Sequence, residues 1–221
     1  MDAKELMERG WKAREAHDFV EAEKLLLQAK ELFEQQGDWF NVTECLNHLA
    51  YSHKIQATLH ADKGRQLAED SLELAEYKGT KTVHAYRSLM SLLVSQANFE
   101  EEYIYAQKCL ELYNKPMNRG DVISHLALCA LRRGDSQKAL SLSAESLDLL
   151  NTHWEEEEEP HRSIWKISAL LTRGLVLYNR GLLKESRALG KEALTMAREI
   201  NNPTRILQAK NFLRLFQSSR P

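Results

Sequence analysis

Residues 179–194 read NRGLLKESRALGKEAL, and forty-seven residues earlier residues 132–147 read RRGDSQKALSLSAESL. Glycine, lysine, small residues and leucine follow one another in nearly the same order in both stretches. Similar segments a few tens of residues apart are the signature of repeat proteins, in which each unit buries its apolar face against its neighbours. The two stretches therefore predict a fold built from a repeated unit.

Each unit carries a triplet of mostly small residues, spaced by four and then three positions. In the stretch quoted first the triplet is Ser186, Gly190 and Ala193, and this spacing places three side chains on one stripe of an α-helix. The same spacing recurs four times, as Ala22/Leu26/Ala29, Gly64/Ala68/Ser71, Glu102/Ala106/Cys109 and Ala139/Ser143/Ser146. We therefore expect five helices that each turn a narrow face toward a neighbour.

A second helix is predicted ahead of each triplet. A small residue lies twelve positions before the first triplet member in three units, at Gly10, Ala127 and Gly174. Gly134 and Gly181 lie in the intervening turns, where glycine can end a helix in the left-handed conformation. Each unit is therefore expected to be a helix–turn–helix pair.

Gly174 and Gly190 have a different role, because the pattern places them inside helices. Glycine in a helix interior costs ~1 kcal/mol relative to alanine, and close packing has to offset that cost. We expect both glycines to mark places where helices touch.

Prolines agree with this division, since Pro116 and Pro160 fall between units and Pro203 follows the last one. The predicted helix pairs span residues 2–35, 39–78, 81–114, 119–151 and 161–201, and a closing helix spans 203–218. Ile206, Ala209, Leu213 and Phe216 of the closing helix are expected to cover the fifth pair, with Arg205, Lys210 and Arg214 facing water. Such a helix would cap the open end of the repeat array.

With these features the chain resembles the tetratricopeptide repeat family. The segments LAYSH (49–53), HLALCALRRGDSQKAL (125–140) and LTRGLVLYNRGLLKESRALGKEAL (171–194) are similar to its helix–turn–helix unit of about 34 residues. The resemblance implies an all-α fold in which about five helix pairs and a capping helix form one right-handed superhelical solenoid over residues 1–221. Glu102 departs from the family, which favours alanine there, and the units are longer, as in kinesin light chains and bacterial peptide-sensing regulators.

Composition excludes several classes of protein. Hydrophobic residues make up 43% of the chain and charged residues 28%, as in folded globular proteins. The formal net charge of −2 lacks the basic excess of proteins that neutralise many phosphates, so nucleic acid is not an expected partner. No signal-peptide pattern opens the sequence and no window approaches the ~18 apolar residues of a membrane span, so we expect a soluble cytoplasmic protein.

Catalytic, cofactor and metal motifs were not found in the sequence. Cys45, Cys109 and Cys129 are widely separated and form no CxxC pair, so we expect reduced, buried thiols rather than a disulfide or a zinc site. His48 and His53 are five residues apart and do not share a helix face, and His53 is expected to be packed in the core. The protein is therefore not expected to be an enzyme.

The acidic run 155–159 is the densest charge cluster of the chain. It could attract a basic partner or a divalent cation, but like charges repel and hydrate, so a solvated loop is the favoured interpretation. Trp154 and Trp165 flank the run and are expected to anchor it to the body of the fold.

A superhelix of helix pairs has a concave groove that is lined by the first helix of each pair. In the second unit the packing stripe is predicted to be Leu46, Leu49, Ala50 and His53. The residues predicted to face the groove are Met7, Trp11 and Arg14; Asn47, Tyr51 and Lys54; Arg87 and Ser91; Ser124, Leu128 and Leu131; and Leu171, Leu175 and Tyr178. The groove would be polar in its middle and apolar toward both ends.

Such a groove suits an extended or helical peptide, because amides bind the peptide main chain, arginine binds carboxylates and leucine or tryptophan takes apolar anchors. We expect a non-enzymatic module that binds a peptide or protein segment. The lysine, asparagine and arginine clamp of tetratricopeptide proteins that bind chaperone tails is not reproduced here. A self-assembling scaffold and a peptide-sensing regulatory module remain as alternatives.

Overall fold

Helices dominate the protein. The structure, a computed structural model, describes residues 1–217, without the side chains of residues 54, 95 and 96, and this part contains helices and no strand. The helices are α1 Ala3–Glu15, α2 Phe19–Gln36, α3 Trp39–Lys78, α4 Val83–Gln96, α5 Phe99–Leu112, α6 Pro116–Arg132, α7 Ser136–Thr152, α8 His161–Asn179, α9 Leu183–Glu199 and α10 Pro203–Arg214. A short 3₁₀ turn, Trp154–Glu156, precedes α8. The predicted all-α class is confirmed for the described residues.

Short polar residues begin several helices, as their capping chemistry requires. The Asp2 carboxylate accepts a hydrogen bond from the backbone N–H of Glu5 at 2.8 Å, and the Asn202 side chain accepts one from that of Arg205 at 3.0 Å.

Gly134 and Gly181 have φ of 82° and 77°, as predicted for the turns after α6 and α8. These turns bring each helix back alongside the next.

The chain divides into two compact units, residues 1–66 and 67–221. In the first unit α1 packs on α2, and the start of α3 joins their core. Gly10 of α1 lies against Leu26 of α2, because a Cβ atom at Gly10 would come within 2.7 Å of Leu26 Cγ. The core residues of this unit are Ala3, Leu6, Leu25, Ala29, Phe33, Val42 and Cys45.

Segment 39–78 differs from the prediction, because α3 runs through it without a turn. No proline interrupts this segment, and Gly64 does not adopt the left-handed conformation that ends a helix. Small-residue spacing alone marks a helix face and does not mark a turn. The prediction of a helix pair here is wrong.

The packing stripe predicted for the start of α3 is wrong as well. Leu46, Ala50 and His53 are exposed. The buried residues of this part of α3 are Val42, Cys45 and Ser52. Contact with α1 and α2 selects this face, which is out of register with the predicted stripe.

The second unit contains α4 to α10. Two helices pack together in each of the pairs α4 with α5, α6 with α7 and α8 with α9, and α10 packs on α9 and α8. Further contacts join α5 to α6, α7 to α8 and α6 to α8. Short connections place consecutive helices antiparallel, so α4, α6, α8 and α10 run in the same direction.

The small-residue triplets are buried in four of the five predicted helices, which confirms the packing prediction there. The Ser186 hydroxyl donates a hydrogen bond to the Gly174 carbonyl oxygen at 2.7 Å, and Ser146 does the same to Gly120 at 2.7 Å. In the remaining triplet only Ala68 is buried. Small side chains thus let α9 approach α8, and α7 approach α6.

Phe212 of α10 explains why glycine occupies positions 174 and 190. A Cβ atom at Gly174 would lie 2.7 Å from the Phe212 ring, and one at Gly190 would lie 2.5 Å from it. The prediction that these glycines mark helix contacts is confirmed. The contact is made by an aromatic ring of the closing helix, which ends at Arg214 rather than at residue 218.

Helices that combine the length and the apolar character of a membrane span do not occur within residues 1–217.

Candidate binding cavity

A cavity of about 860 Å³ lies in the second unit and is lined by α4, α6, α8 and α10. Its volume is within the range of roughly 300–1,000 Å³ that is usual for ligand sites. Six residues predicted to face the groove line this cavity: Arg87, Ser91, Ser124, Leu128, Leu171 and Leu175. The structure therefore brings together predicted residues from three successive helix pairs.

Two predicted groove residues of the second unit lie elsewhere. Tyr178 packs edge-on against the ring of Phe216, with 5.3 Å between ring centroids, and does not line the cavity. Leu131 packs beside Ala130 and Val176 in the core. Both belong to the packing of α6, α8 and the segment after α10.

In the first unit, the predicted groove residues do not share one environment, because some are buried and others are exposed. Arg14 is buried, and its guanidinium lies 3.0 Å from His48 Nδ1 and 5.1 Å from the centre of the Tyr51 ring. Burial and the neighbouring Arg14 charge lower the pKa of His48. Arg14 thus has a packed position between α1 and α3.

The other predicted residues of the first unit are mostly exposed. Trp11, Asn47 and Tyr51 are open to solvent, while Met7 is half-buried beside the core. The Asn47 amide donates to Glu44 Oε1 at 3.2 Å on the same helix. The side chain of Lys54 lies outside the described residues.

One end of the cavity is charged. The Arg87 guanidinium pairs with the buried Asp121 carboxylate at 2.6 Å and lies 4.6 Å above the centre of the Trp165 ring. Arg87 belongs to the first turns of α4, Asp121 to those of α6 and Trp165 to those of α8. These contacts fix the charged end at the N-terminal ends of the lining helices.

Arg205, in the first turn of α10, adds a second guanidinium at this end. Its Nη1 donates to Gln208 Oε1 at 2.8 Å, and it forms no ion pair within the described residues. Burial lowers the pKa of Arg205, and Arg87 contributes in the same direction while Asp121 opposes the shift. Two guanidinium groups thus face one carboxylate.

The opposite end of the cavity is apolar. Val94, Leu128, Leu175 and Leu215 line it. Val94 and Leu128 each follow the charged residue of their own helix by seven positions, which is ~10 Å along a helix. Between the two ends lie hydroxyl and amide groups, namely Ser91, Ser124, Ser168, Thr172 and Gln208.

A buried ionic cluster supports one wall of the cavity. Glu102 is fully buried, and its carboxylate lies 3.1 Å from His125 Nδ1 and 3.2 Å from Arg132 Nη1. His125 also lines the cavity. Glu102, at a position where alanine was expected, is therefore paired with two side chains of α6. These contacts hold α5 against that helix.

Sequence reasoning missed Asp121, Trp165 and Arg205 as lining residues. Asp121 could have been found, because it lies three and seven positions before Ser124 and Leu128 on the same helix stripe. Arg205 was expected to face water. Its position depends on how α10 docks, and no spacing within the sequence gives that.

The acidic run 155–159 is partly neutralised by its own segment. Arg162 pairs with Glu155 at 2.9 Å and with Glu159 at 2.8 Å. Its guanidinium also lies 4.9 Å from the centre of the Trp154 ring. Trp165 is buried, as expected of an anchor, whereas Trp154 is half-buried.

The three cysteines are free and buried, as predicted. Burial raises the pKa of Cys45 to about 11 and the pKa values of Cys109 and Cys129 to about 12. Within residues 1–217, no group of three histidine, cysteine or acidic side chains could hold a metal ion.

No family model and no curated protein matches the sequence. A similar solved structure is the crystal structure of BtubC (BKLC) from P. vanneervenii, which has 14% sequence identity and a TM-score of 0.48 over 91% of this chain and 93% of that chain.

Proposed function

We propose that the protein is a non-enzymatic interaction module that binds a peptide or protein segment in the cavity of its second unit. The convergence of Arg87, Ser91, Ser124, Leu128 and Leu175 on one cavity carries this proposal. These residues were selected as groove residues from repeat spacing alone. A peptide-sensing regulatory module would use the same cavity.

The lining of the cavity suits a peptide chemically. Leucine side chains can receive apolar anchors, and hydroxyl and amide groups can bind the peptide main chain. The arginines can bind carboxylates through paired N–H groups. A cavity of this kind both holds a segment and selects among segments.

The proposed architecture is a right-handed superhelical solenoid of tetratricopeptide type. Its support is the order of packing in the second unit, where each helix pair contacts the next and α10 covers the last pair. The buried small-residue triplets at the interfaces agree with the family pattern. A cytoplasmic location is part of the same proposal.

The proposed function can be tested by selecting random displayed peptides on the immobilised full chain. Leu128→Arg places a charge at the apolar end of the cavity, and Leu207→Arg is the matched control because Leu207 is exposed on α10 and does not line the cavity. We expect the same peptides to be enriched on the wild type and on Leu207→Arg, and to be lost on Leu128→Arg. Equal enrichment on all three proteins would rule out the cavity as the binding site.

Self-assembly is a second candidate function, and exposed apolar residues on α3 favour it. Leu67, Leu74 and Tyr77 are exposed on the part of α3 that belongs to the second unit, and their spacing of seven and three is that of a helix seam. Light scattering over a range of protein concentrations tests this candidate. A mass that stays at one chain would remove it.

A further inference from the structure

The charged end of the cavity carries more positive than negative charge. Arg87 and Arg205 both line it, and Asp121 is the single carboxylate within the described lining. Asp121 is already engaged, because its Oδ2 lies 2.6 Å from Arg87 Nη2. The nearby carboxylate of Glu102 is held by His125 and Arg132.

Arg205 therefore faces the cavity without a carboxylate of its own. Arg205 as a residue is half-buried, and a neutral amide, Gln208, is the hydrogen-bond acceptor of its guanidinium within the described residues. Partial removal of a cation from water is costly unless an anion compensates it. A carboxylate that entered beside Arg205 would supply this compensation through charge-assisted hydrogen bonds.

Polar groups flank Arg205 in both directions along α10. Asn202, which caps α10, and Thr204 precede it in the cavity lining, and Gln208 and Asn211 follow it. A peptide main chain can therefore find hydrogen-bond partners on both sides of the guanidinium. This arrangement favours a carboxylate on a side chain within the segment over one at the end of a chain.

The apolar end sets a second requirement. Leu128 and Leu175 lie at the far end of the lining, about two helical turns or ~10 Å from the charged residues. Three residues of extended peptide span a similar distance, ~10 Å. A segment with an acidic and a large apolar side chain about three residues apart could reach both ends.

We propose that the cavity recognises an acidic peptide segment, with an aspartate or glutamate side chain bound between Arg205 and Arg87 and an apolar side chain against Leu128 and Leu175. This inference rests on the proposed peptide-binding function and names the chemistry of the ligand. It assigns Arg205 as a residue that determines specificity.

The test uses blocked amino acids as probes and the arginine side-chain N–H signals of the full, ¹⁵N-labelled chain as the readout. The probes are glutamate with both termini blocked, glutamine with both termini blocked, and N-acetyl-leucine with a free α-carboxylate. Arg205→Gln assigns the Arg205 signal, and Arg205→Lys retains the charge without the planar fork. Arg198, which is exposed at the end of α9, is the internal control.

We expect blocked glutamate to shift the Arg205 signal in a saturable way, with a dissociation constant on the order of 10 mM. Blocked glutamine should cause no shift, the Arg198 signal should stay in place, and Arg205→Gln should weaken glutamate binding about tenfold. Arg205→Lys should bind glutamate more weakly than the wild type and more tightly than Arg205→Gln. Thermal melting of each variant checks that the fold is retained.

Four results would overturn the inference. Equal shifts with glutamate and glutamine would show that charge is not recognised, and equal shifts at Arg198 would show a general ionic effect. A shift with N-acetyl-leucine alone would assign the site to chain ends instead. Peptides enriched by display without acidic residues would leave the binding function standing and remove the acidic subsite.

Discussion

Glu102 shows how a single buried charge can stabilise the contact between two helices. Its carboxylate is fully buried and pairs with the side chains of His125 and Arg132 of α6. Removal of one member of a buried ion pair leaves its partners without compensation. The partners here are partly exposed, which reduces the cost.

We predict that Glu102→Ala lowers the free energy of unfolding by roughly 2–3 kcal/mol. Glu100→Ala is the matched control, because Glu100 is an exposed residue on the same helix and pairs with the exposed Arg133. Its effect should stay within about 0.5 kcal/mol. Urea denaturation followed by circular dichroism measures both values, and equal losses would contradict the role given to the buried cluster.

The thiols give a prediction about reactivity. Cys45, Cys109 and Cys129 are buried and have raised pKa values, so the reactive thiolate is scarce in the folded protein. A thiol-reactive disulfide reagent at a pH of about 8 should leave the folded protein unlabelled and should label the unfolded chain at all three positions. Rapid labelling of the folded protein would show that a thiol is accessible.

The raised thiol pKa values also set a direction for alkaline stability. The thiols stay protonated in the folded protein up to about pH 11 or 12. In the unfolded chain they ionise near pH ~8.5, so unfolding releases protons above that pH and stability falls as pH rises. Replacement of Cys109 by alanine should reduce the slope of this fall.

Residue types and their spacing predicted much of the burial of small and apolar residues, but less of the positions that charged residues take. The four buried triplets and the three cysteines follow from small or apolar residues at helical spacing. The burial of Arg14 against His48 depends on how α1 meets α3, and spacing within one helix carries no information about that contact. Polar residues in cores are placed by their partners, which lie far away in sequence.

At the scale of helices, α10 packs on α8 and α9 through the Phe212 ring and the apolar residues beside it. Phe212 fits against Gly174 of α8 and Gly190 of α9, and Leu213 also lies close to Gly190, so α10 requires both glycines. The sequence predicted the glycine contacts and the covering of the fifth pair by Ile206, Ala209, Leu213 and Phe216, and the structure confirms both. It did not predict Phe212, which lies beside that stripe on the same helix.

We predict that Gly174→Leu lowers the free energy of unfolding by about 1–3 kcal/mol, because the new side chain would overlap the Phe212 ring. Phe212→Ala removes a buried ring and also lowers stability, but the double variant Gly174→Leu/Phe212→Ala should lose less than the sum of the two single losses, since the ring that the leucine overlaps would be absent. Ala188→Leu, an exposed position on α9, is the control. If the losses of Gly174→Leu and Phe212→Ala simply add in the double variant, as measured by thermal melts of all three, Phe212 does not cause the effect.

The long helix α3 shows that the repeat pattern alone does not predict where a turn occurs. Gly64, Ala68 and Ser71 have the spacing of the other triplets, yet the chain continues as helix on both sides of them. A turn needs a residue that accepts the left-handed conformation or interrupts the hydrogen bonds, and this segment uses neither. Periodicity alone was therefore insufficient there.

At the scale of the whole molecule, we propose that one cavity in the second unit holds the bound segment. Arg87 is a poor choice for testing it, because Arg87→Ala would leave the buried Asp121 carboxylate unpaired and would lower stability as well as binding. Leu128 is a better choice, since it lies at the half-buried apolar end and has no ionic partner to lose.

The most direct test of the central claim is the affinity of a display-selected peptide, labelled with a fluorophore and titrated with each variant. We predict that Leu128→Arg weakens binding by about 30-fold or more, as expected for loss of a hot-spot contact. Leu207→Arg and Glu157→Gln, which lie outside the cavity, should change the affinity by less than about threefold. Unchanged affinity for Leu128→Arg together with lost binding for Glu157→Gln would contradict the account and assign binding to the acidic run 155–159.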